Sequence, residues 1–190
     1  MSQHRAVSGT PSPQEWNPYH RQYLLRRLPG LPGNEGVLGG FEADATSYLE
    51  AQTRWIADLV RTVPPDRERH RYAPGKWSVR EVVGHLADAE RVLAYRALAA
   101  SRGDRTNLMP FDEEAYVAQA GHDELPLARL VEDLLSVRAG TLALARSLTA
   151  EQWRRCGRTN GNPVSARAWM FVTGVHVDLH LQTVRERYLG

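Results

Sequence analysis

The chain has 190 residues, a formal net charge of +2 and 42% hydrophobic residues, which is enough for one globular domain with its own core. It has no run of about 18 apolar residues that could span a bilayer, and residues 1–13 lack the apolar stretch of a secretory signal. We therefore expect a cytoplasmic protein with no membrane partner. The only cysteine, Cys156, excludes an intrachain disulfide and a cysteine-only metal site.

The basic residues do not form the stripe that a nucleic-acid surface requires. Lys76 is the only lysine, and arginines alternate with acidic residues, as in 67–69 and 185–187. Such alternation is typical of a solvated helix face rather than of a surface that follows phosphates. The sequence therefore predicts no nucleic-acid partner.

The first 40 residues differ in composition from the rest of the chain. They are rich in Pro, Gly, Ser and charged residues and have no sustained apolar period, which predicts an extended N-terminal arm over 1–40. Trp16, Tyr19 and Tyr23 could attach this arm to the domain or to a partner subunit. The domain itself is expected to cover 41–190.

Two long amphipathic helices are predicted in the first half of the domain. Apolar residues recur at the spacing of one helix face over 41–60, until two prolines end the pattern. A charged loop is expected over 67–76. Ser78 and Glu81 then form a capping-box pattern, which predicts the start of a second helix whose apolar stripe ends before Gly103.

A connection of about 20 residues follows, which is long for a helical bundle. A short helix is expected near 112–119, with Asp112 as its N-cap; a metal contact by this carboxylate is the less favoured alternative. The third long helix is predicted over 126–147, where leucines recur with a period near 3.6.

The last part of the domain is predicted to contain one helical turn and one long helix. Thr149 should cap a turn over 151–153, and 157–162 should form an irregular loop before Pro163 opens a helix that reaches Tyr188. No segment has the alternating apolar pattern of a half-buried strand. The fold class is therefore predicted to be all-α, a four-helix bundle with a long connection between helices 2 and 3.

Three histidines lie on apolar helix stripes. His176 and His180 are four residues apart on the last helix, so both rings leave the same face and one ion can contact both. His85 lies on the stripe of helix 2, and three neutral imidazoles with an open fourth position are typical of catalytic zinc. A lone histidine on such a stripe is, however, more often a hydrogen-bonded core residue, and spacing does not show that His85 faces the pair. The other histidines are expected to be solvated: His4, His20, His70 and His122.

Four segments of the chain together form a motif combination that is specific to one family. They are KWSVREVVGHLADAE at 76–90, the pair Tyr95-Arg96, the Pro-Phe-Asp segment 110–112 and the ending 176–188 with RERY. On these residues the chain resembles the DinB/YfiT-like family of predicted metalloenzymes, over about 41–189. The resemblance implies that one histidine of helix 2 and the two of the last helix bind a divalent metal. These positions are His85, His176 and His180.

The same resemblance implies a four-helix bundle, a homodimer, a small-molecule substrate and one divalent metal, with zinc or nickel as the first candidates. It also implies, for some members, a low-molecular-weight thiol cosubstrate such as bacillithiol, mycothiol or glutathione, whose pKa the metal lowers. A thiol transferase or hydrolase is therefore the first hypothesis. The second is a non-catalytic metal-binding or sensing bundle.

The chain departs from the common family pattern immediately after the first histidine of the last helix. Val177 stands where an acidic residue is frequent. A carboxylate that orients one of the imidazoles would then come from Asp178 or Asp88, or would be absent.

Arg96 follows His85 by eleven residues and so has nearly the same angular position, three turns further along the helix. It is the candidate residue for binding an anionic group of a substrate. The favoured alternative is a partly buried ion pair with an acid such as Glu50 or Asp58.

Two further residues near these motifs have simpler expected roles. Trp77 is expected to pack on the start of helix 2, although it could also line the mouth of a pocket. Neighbouring arginines should lower the pKa of Cys156, but no base is paired with it, so no function is assigned to this thiol.

Overall fold

The computed structural model describes Glu15 and residues 44–190. The rest of the predicted arm, including Trp16, Tyr19 and Tyr23, lies outside the described residues. The elements between residues 44 and 190 are, in chain order, α1 Ala45–Thr62, α2 Val79–Ser101, β1 Asn107–Leu108, α3 Glu113–Ala120, α4 Leu127–Ser147, α5 Ala150–Arg154, β2 Cys156–Thr159, β3 Asn162–Ser165 and α6 Ala166–Thr183.

The four long helices α1, α2, α4 and α6 form the predicted bundle. Helix α2 packs between α4 and α6, and α1 packs against both of these neighbours. Aliphatic and aromatic side chains from all four helices and from the short helix α5 form the core. Its largest fully buried members are Trp153, Trp169, Phe171, Leu49, Ile56, Leu86, Leu127, Leu134 and Met170.

The helix starts follow the capping signals of the sequence. Ser78 and Glu81 form the predicted capping box, and Ser78 Oγ also donates to Asp123 Oδ1 at 2.5 Å. Asp112 caps α3 by accepting from the Ala115 amide at 3.0 Å, and Thr149 caps α5. These bonds satisfy amide groups that have no partner within a helix. No helix between residues 44 and 190 combines the length and apolarity that crossing a bilayer requires.

A small three-stranded sheet replaces the irregular loop predicted over 157–162. Strands β2 and β3 form a hairpin around Asn160 and Gly161, both with positive φ, and β1 pairs in parallel with β2. The Asn-Gly dipeptide is a strong hairpin signal. The prediction that Pro163 opens the last helix is wrong, because Pro163 lies in β3 and α6 begins after the N-cap Ser165.

The last helix reaches Tyr188 as predicted, but its geometry changes near the end. Helix α6 ends at Thr183, and Val184–Tyr188 continues as a π-helical turn. The Tyr188 hydroxyl donates to the Trp77 carbonyl at 2.7 Å. The end of α6 is thereby joined to the start of α2.

Candidate metal centre

The three stripe histidines of α2 and α6 come together inside the bundle. His85 lies in the second turn of α2 and is only 2% exposed, while His176 and His180 lie one turn apart on α6. One ring nitrogen of each residue lies within 4.8 Å of those of the other two. The closest pair, His85 Nε2 and His176 Nε2, is 3.2 Å apart.

Burial keeps the imidazoles of His85 and His180 neutral near pH 7. Loss of water lowers the pKa of His85 to about 3, and the neighbouring His180 contributes to that decrease. Burial also lowers the pKa of His180 to about 4. Neutral imidazole has a free nitrogen lone pair, which is the form that binds a metal.

The spacing of the nitrogens fits a divalent ion. Zinc–nitrogen bonds of about 2.0 Å in tetrahedral geometry require nitrogen atoms roughly 3.3 Å apart, close to the 3.2 Å between His85 and His176. Three imidazoles suit zinc, nickel, copper or iron. The cluster could therefore hold one such ion with a coordination position left for water or substrate.

The indole of Trp77 packs on this cluster. Its ring centre lies 4.6 Å from that of His85 and 6.3 Å from that of His180, nearly parallel to the second ring. Its Nε1 donates to Glu114 Oε2 of α3 at 3.1 Å. Trp77, which precedes the N-cap of α2, therefore contacts His85 and His180.

The two carboxylates considered for orienting an imidazole bind other groups. Asp88 lies 3.4 Å from His122 Nε2 and 3.1 Å from Arg91, and the proximity of the His122 imidazole is the main factor that lowers the pKa of Asp88. Asp178 accepts from Tyr48 and from Gln52 at 2.6 Å. Both of these donors belong to α1.

His122 was expected to be solvated, but its side chain is largely removed from solvent. Its side chain is only 11% exposed. The ring packs so closely on Gly84 that a Cβ at this position would lie 2.3 Å from His122 Cγ. Glycine at this position lets the turn His122–Glu124 approach α2 beside His85. The charged surroundings of His122 in the sequence concealed this packing.

Arg96 has neither of the acid partners that the sequence suggested. Glu50 pairs with Arg146 and Asp58 pairs with Arg61, so that alternative is wrong. Arg96 is 7% exposed, donates to the Met109 carbonyl at 3.0 Å and lies 5.0 Å from the centre of the Trp169 ring. Among the described residues no carboxylate forms an ion pair with it, and burial lowers the pKa of its guanidinium. It lies about 16 Å along α2 from His85, so it does not contact the histidine cluster.

The prediction for the Cys156 pKa is also wrong in direction. Removal of water and the nearby Glu15 carboxylate raise the pKa of this thiol. The neighbouring arginines bind elsewhere, since Arg155 pairs with Glu151 and Arg158 donates to a carbonyl. Glu15 itself pairs with Arg167 and accepts from Ser165 at 2.9 Å at the start of α6.

The sequence analysis did not predict a buried polar network that joins α1, α2, α4 and α6. Arg138 of α4 and Glu90 of α2 form an ion pair at 2.7 Å with exposures of 0% and 1%. Arg138 also donates to Gln52 at 3.1 Å, and Gln52 continues the network to α6. The available signal was a polar side chain on an otherwise apolar stripe of α1 and of α4.

Sequence comparison identifies a similar protein. A protein of Oceanobacillus iheyensis named "Putative metal-dependent hydrolase" is 24% identical over 104 residues, which are 55% of this chain and 60% of that protein. The match thus spans less than two thirds of that relative.

Two solved structures share the fold. YfiT from Bacillus subtilis, described as having "an unusual four-helix bundle topology", superposes with a TM-score of 0.68 and 21% identity, covering 75% of this chain and 82% of YfiT. A mycothiol-dependent maleylpyruvate isomerase superposes with a TM-score of 0.57 and 17% identity, covering 72% of this chain and 57% of the isomerase. The family model of the DinB superfamily matches residues 48–184. The chain therefore belongs to the DinB superfamily.

Proposed function

We propose that His85, His176 and His180 bind one divalent metal ion and that the protein is a metal-dependent enzyme acting on a small molecule. The observation that carries the proposal is the convergence of three histidine ring nitrogens within 4.8 Å, one from a buried and two from half-buried residues. The name of the Oceanobacillus relative, "Putative metal-dependent hydrolase", supports it. Zinc and nickel are the first candidates for the ion.

Three protein ligands would leave a coordination position for a reacting group. An ion in such a site supplies Lewis acidity, which makes a bound water or thiol easier to deprotonate near neutral pH. The neutral state of His85 and His180 provides the lone pairs, and Trp77 limits the access of water on one side of the cluster.

Within this function we propose a transferase that uses a low-molecular-weight thiol, such as bacillithiol or mycothiol. The support is the fold shared with a mycothiol-dependent isomerase together with the family resemblance. Hydrolysis is the second candidate, favoured by the name of the curated relative. Arg96 is proposed to bind an anionic group of the substrate at a distance from the metal, about 16 Å along α2 from His85, because its buried guanidinium has no carboxylate partner among the described residues. The family resemblance also supports a homodimer, which light scattering would test.

Metal analysis of the purified protein tests the binding site. We expect about one equivalent of divalent metal in the wild type and loss of most of it in His180→Ala, because removal of one of three ligands weakens binding strongly. His70→Ala is the matched control, since His70 packs on Tyr188 outside the cluster. Equal metal content in wild type and His180→Ala would contradict the proposal.

A second experiment separates catalysis from metal storage or sensing. Metal-loaded protein would be assayed with several thiols and a generic electrophile, and with ester and amide substrates in the absence of thiol. Thiol-dependent turnover that His85→Ala abolishes would support the transferase. Thiol-independent turnover would favour the hydrolase, and no turnover with any pair would favour a non-catalytic bundle.

A further inference from the structure

We infer that Tyr48 and Gln52 of α1 are positioning residues for the proposed metal ligands, because they fix the rotation of α6 through Gly174 and Asp178. These four residues are called the α1–α6 lock. The inference rests on the proposed metal binding. It assigns a role to α1, a helix that supplies no histidine to the cluster.

Gln52 binds α6 at two points one turn apart. Its side-chain amide Nε2 donates to the Gly174 carbonyl at 2.7 Å and to Asp178 Oδ1 at 2.6 Å, and the residue is 0% exposed. A primary amide has two N–H groups, so both are used. Because the two acceptors lie on either side of His176 in the sequence, these bonds restrict both the rotation and the axial position of this part of α6.

Tyr48 adds a steric restriction to the same turn. A Cβ at Gly174 would lie 2.3 Å from Tyr48 Cε1, so the ring packs directly on the backbone of α6. The Tyr48 hydroxyl donates to Asp178. The ring and its hydroxyl thus contact the same two α6 residues that Gln52 binds.

The amide of Gln52 is oriented by a buried ion pair. Its Oε1 accepts from Arg138 Nη1 at 3.1 Å, and the same nitrogen donates to the Leu49 carbonyl at 2.9 Å. Arg138 is held by both carboxylate oxygens of Glu90, at 2.7 and 2.8 Å. Glu90 lies on α2 five residues after His85, so the network joins the two helices that supply the histidines.

A small rotation of α6 would move the histidine ring nitrogens by more than metal–nitrogen distances tolerate. Asp178 lies about 200° around the helix from both His176 and His180, so the lock holds the side opposite the ligands. With Cα atoms about 2.3 Å from the axis, a rotation of about 20° moves each Cα by about 0.8 Å and the ring nitrogens by more. Metal–nitrogen distances tolerate only about 0.2 Å. A lock on the far face therefore sets the affinity and geometry of the site without contacting the ion.

The test compares Co²⁺ binding by Gln52→Met and Tyr48→Phe with that of the wild type. Thr173→Val is the matched control, because Thr173 is equally buried on α6 but donates only to the Trp169 carbonyl of its own helix. Affinity is measured by competition with a chelating dye at low temperature, and geometry by the visible absorption of bound Co²⁺. Urea unfolding of chelator-treated protein gives the stability of each variant separately.

We expect both lock variants to bind Co²⁺ at least about tenfold more weakly and with shifted absorption bands, while Thr173→Val stays within about twofold of the wild type. Lower stability with unchanged affinity and spectrum would mean a purely structural role and would overturn the inference. Should Gln52→Met not fold, Tyr48→Phe, which removes a single oxygen, decides. Failure of the wild type to bind Co²⁺ would instead reject the proposed function on which the inference rests.

Discussion

Polar side chains are buried in this bundle in two different ways. His85 loses its charge on burial, since removal of water lowers its pKa to about 3. Glu90, five residues further along α2, forms an ion pair with Arg138, and both side chains are almost completely buried. A buried imidazole can exist as a neutral donor and acceptor, whereas a guanidinium keeps its charge and requires an acceptor with good geometry.

Removal of one member of this ion pair should destabilise the fold strongly. We expect Arg138→Met to lower the free energy of unfolding by about 3–5 kcal/mol, because the Glu90 carboxylate would remain buried without its partner. Denaturant unfolding in the presence of a chelator measures this without a contribution from metal.

Arg146→Ala is the control for that measurement. Arg146 pairs with Glu50 at 2.7 Å, but the two side chains are 59% and 45% exposed, so its loss should cost less than about 1 kcal/mol. Equal effects of the two substitutions would show that burial of the Glu90–Arg138 pair does not contribute to stability in the way argued.

At the scale of elements, close approach of α1 to α6 depends on a glycine. Gly174 leaves the space that the Tyr48 ring fills, and a similar relation holds between Gly84 of α2 and the ring of His122. In both places a missing side chain lets an aromatic ring contact helix backbone one or two residues from a histidine of the cluster. Both close approaches therefore lie next to candidate metal ligands.

Alanine substitutions at two helix glycines should have opposite effects. Gly174→Ala should destabilise the fold by about 1–3 kcal/mol, because its Cβ would overlap the Tyr48 ring. At Gly140 of α4 nothing lies within 4 Å of the added Cβ, so Gly140→Ala should stabilise the protein by roughly 0.5–1 kcal/mol through lower backbone entropy of the unfolded chain. Thermal or denaturant unfolding measures both. A neutral or stabilising Gly174→Ala would contradict the close packing described.

The sequence predicted elements well where a local signal acts alone. The capping box at Ser78 and the cap at Asp112 specify their helix starts through hydrogen bonds within three residues. The hairpin was missed because its strands are only four residues long and the proline at 163 resembles a helix start. Pro163 is tolerated there because β3 is an edge strand, where a missing N–H costs little.

At the scale of the whole molecule, metal binding should stabilise the folded chain. A ligand present at about a thousand times its dissociation constant adds about 4 kcal/mol to the free energy of unfolding, which for a domain of this size corresponds to an increase in Tm of roughly 10 °C. Thermal scans of chelator-treated protein with and without added Zn²⁺ measure the shift. The increase should disappear in His180→Ala and persist in His70→Ala; the same increase in all three proteins would indicate binding elsewhere.

The candidate site was only partly predictable because its parts come from distant positions. The helical spacing of His176 and His180 placed both on one face, but no local pattern showed that His85 lies opposite them, and only the family motif suggested it. The network through Gln52 and Arg138 could not be predicted for the same reason. Its hydrogen bonds join residues of different helices, and Gln52 and Arg138 themselves are 86 positions apart in the sequence. Sequence periodicity identifies faces, whereas facing partners are set by packing.

The separation of the histidines has a consequence for biogenesis. His85 and His176 are 91 residues apart, and they belong to helices that meet only when α6 has docked on α2. Before α6 is present, His85 is the single member of the proposed cluster, and one imidazole binds an ion weakly. If the proposed metal binding is correct, the full ligand set forms only after α6 has docked on α2, so the ion would bind a largely folded bundle rather than nucleate its folding.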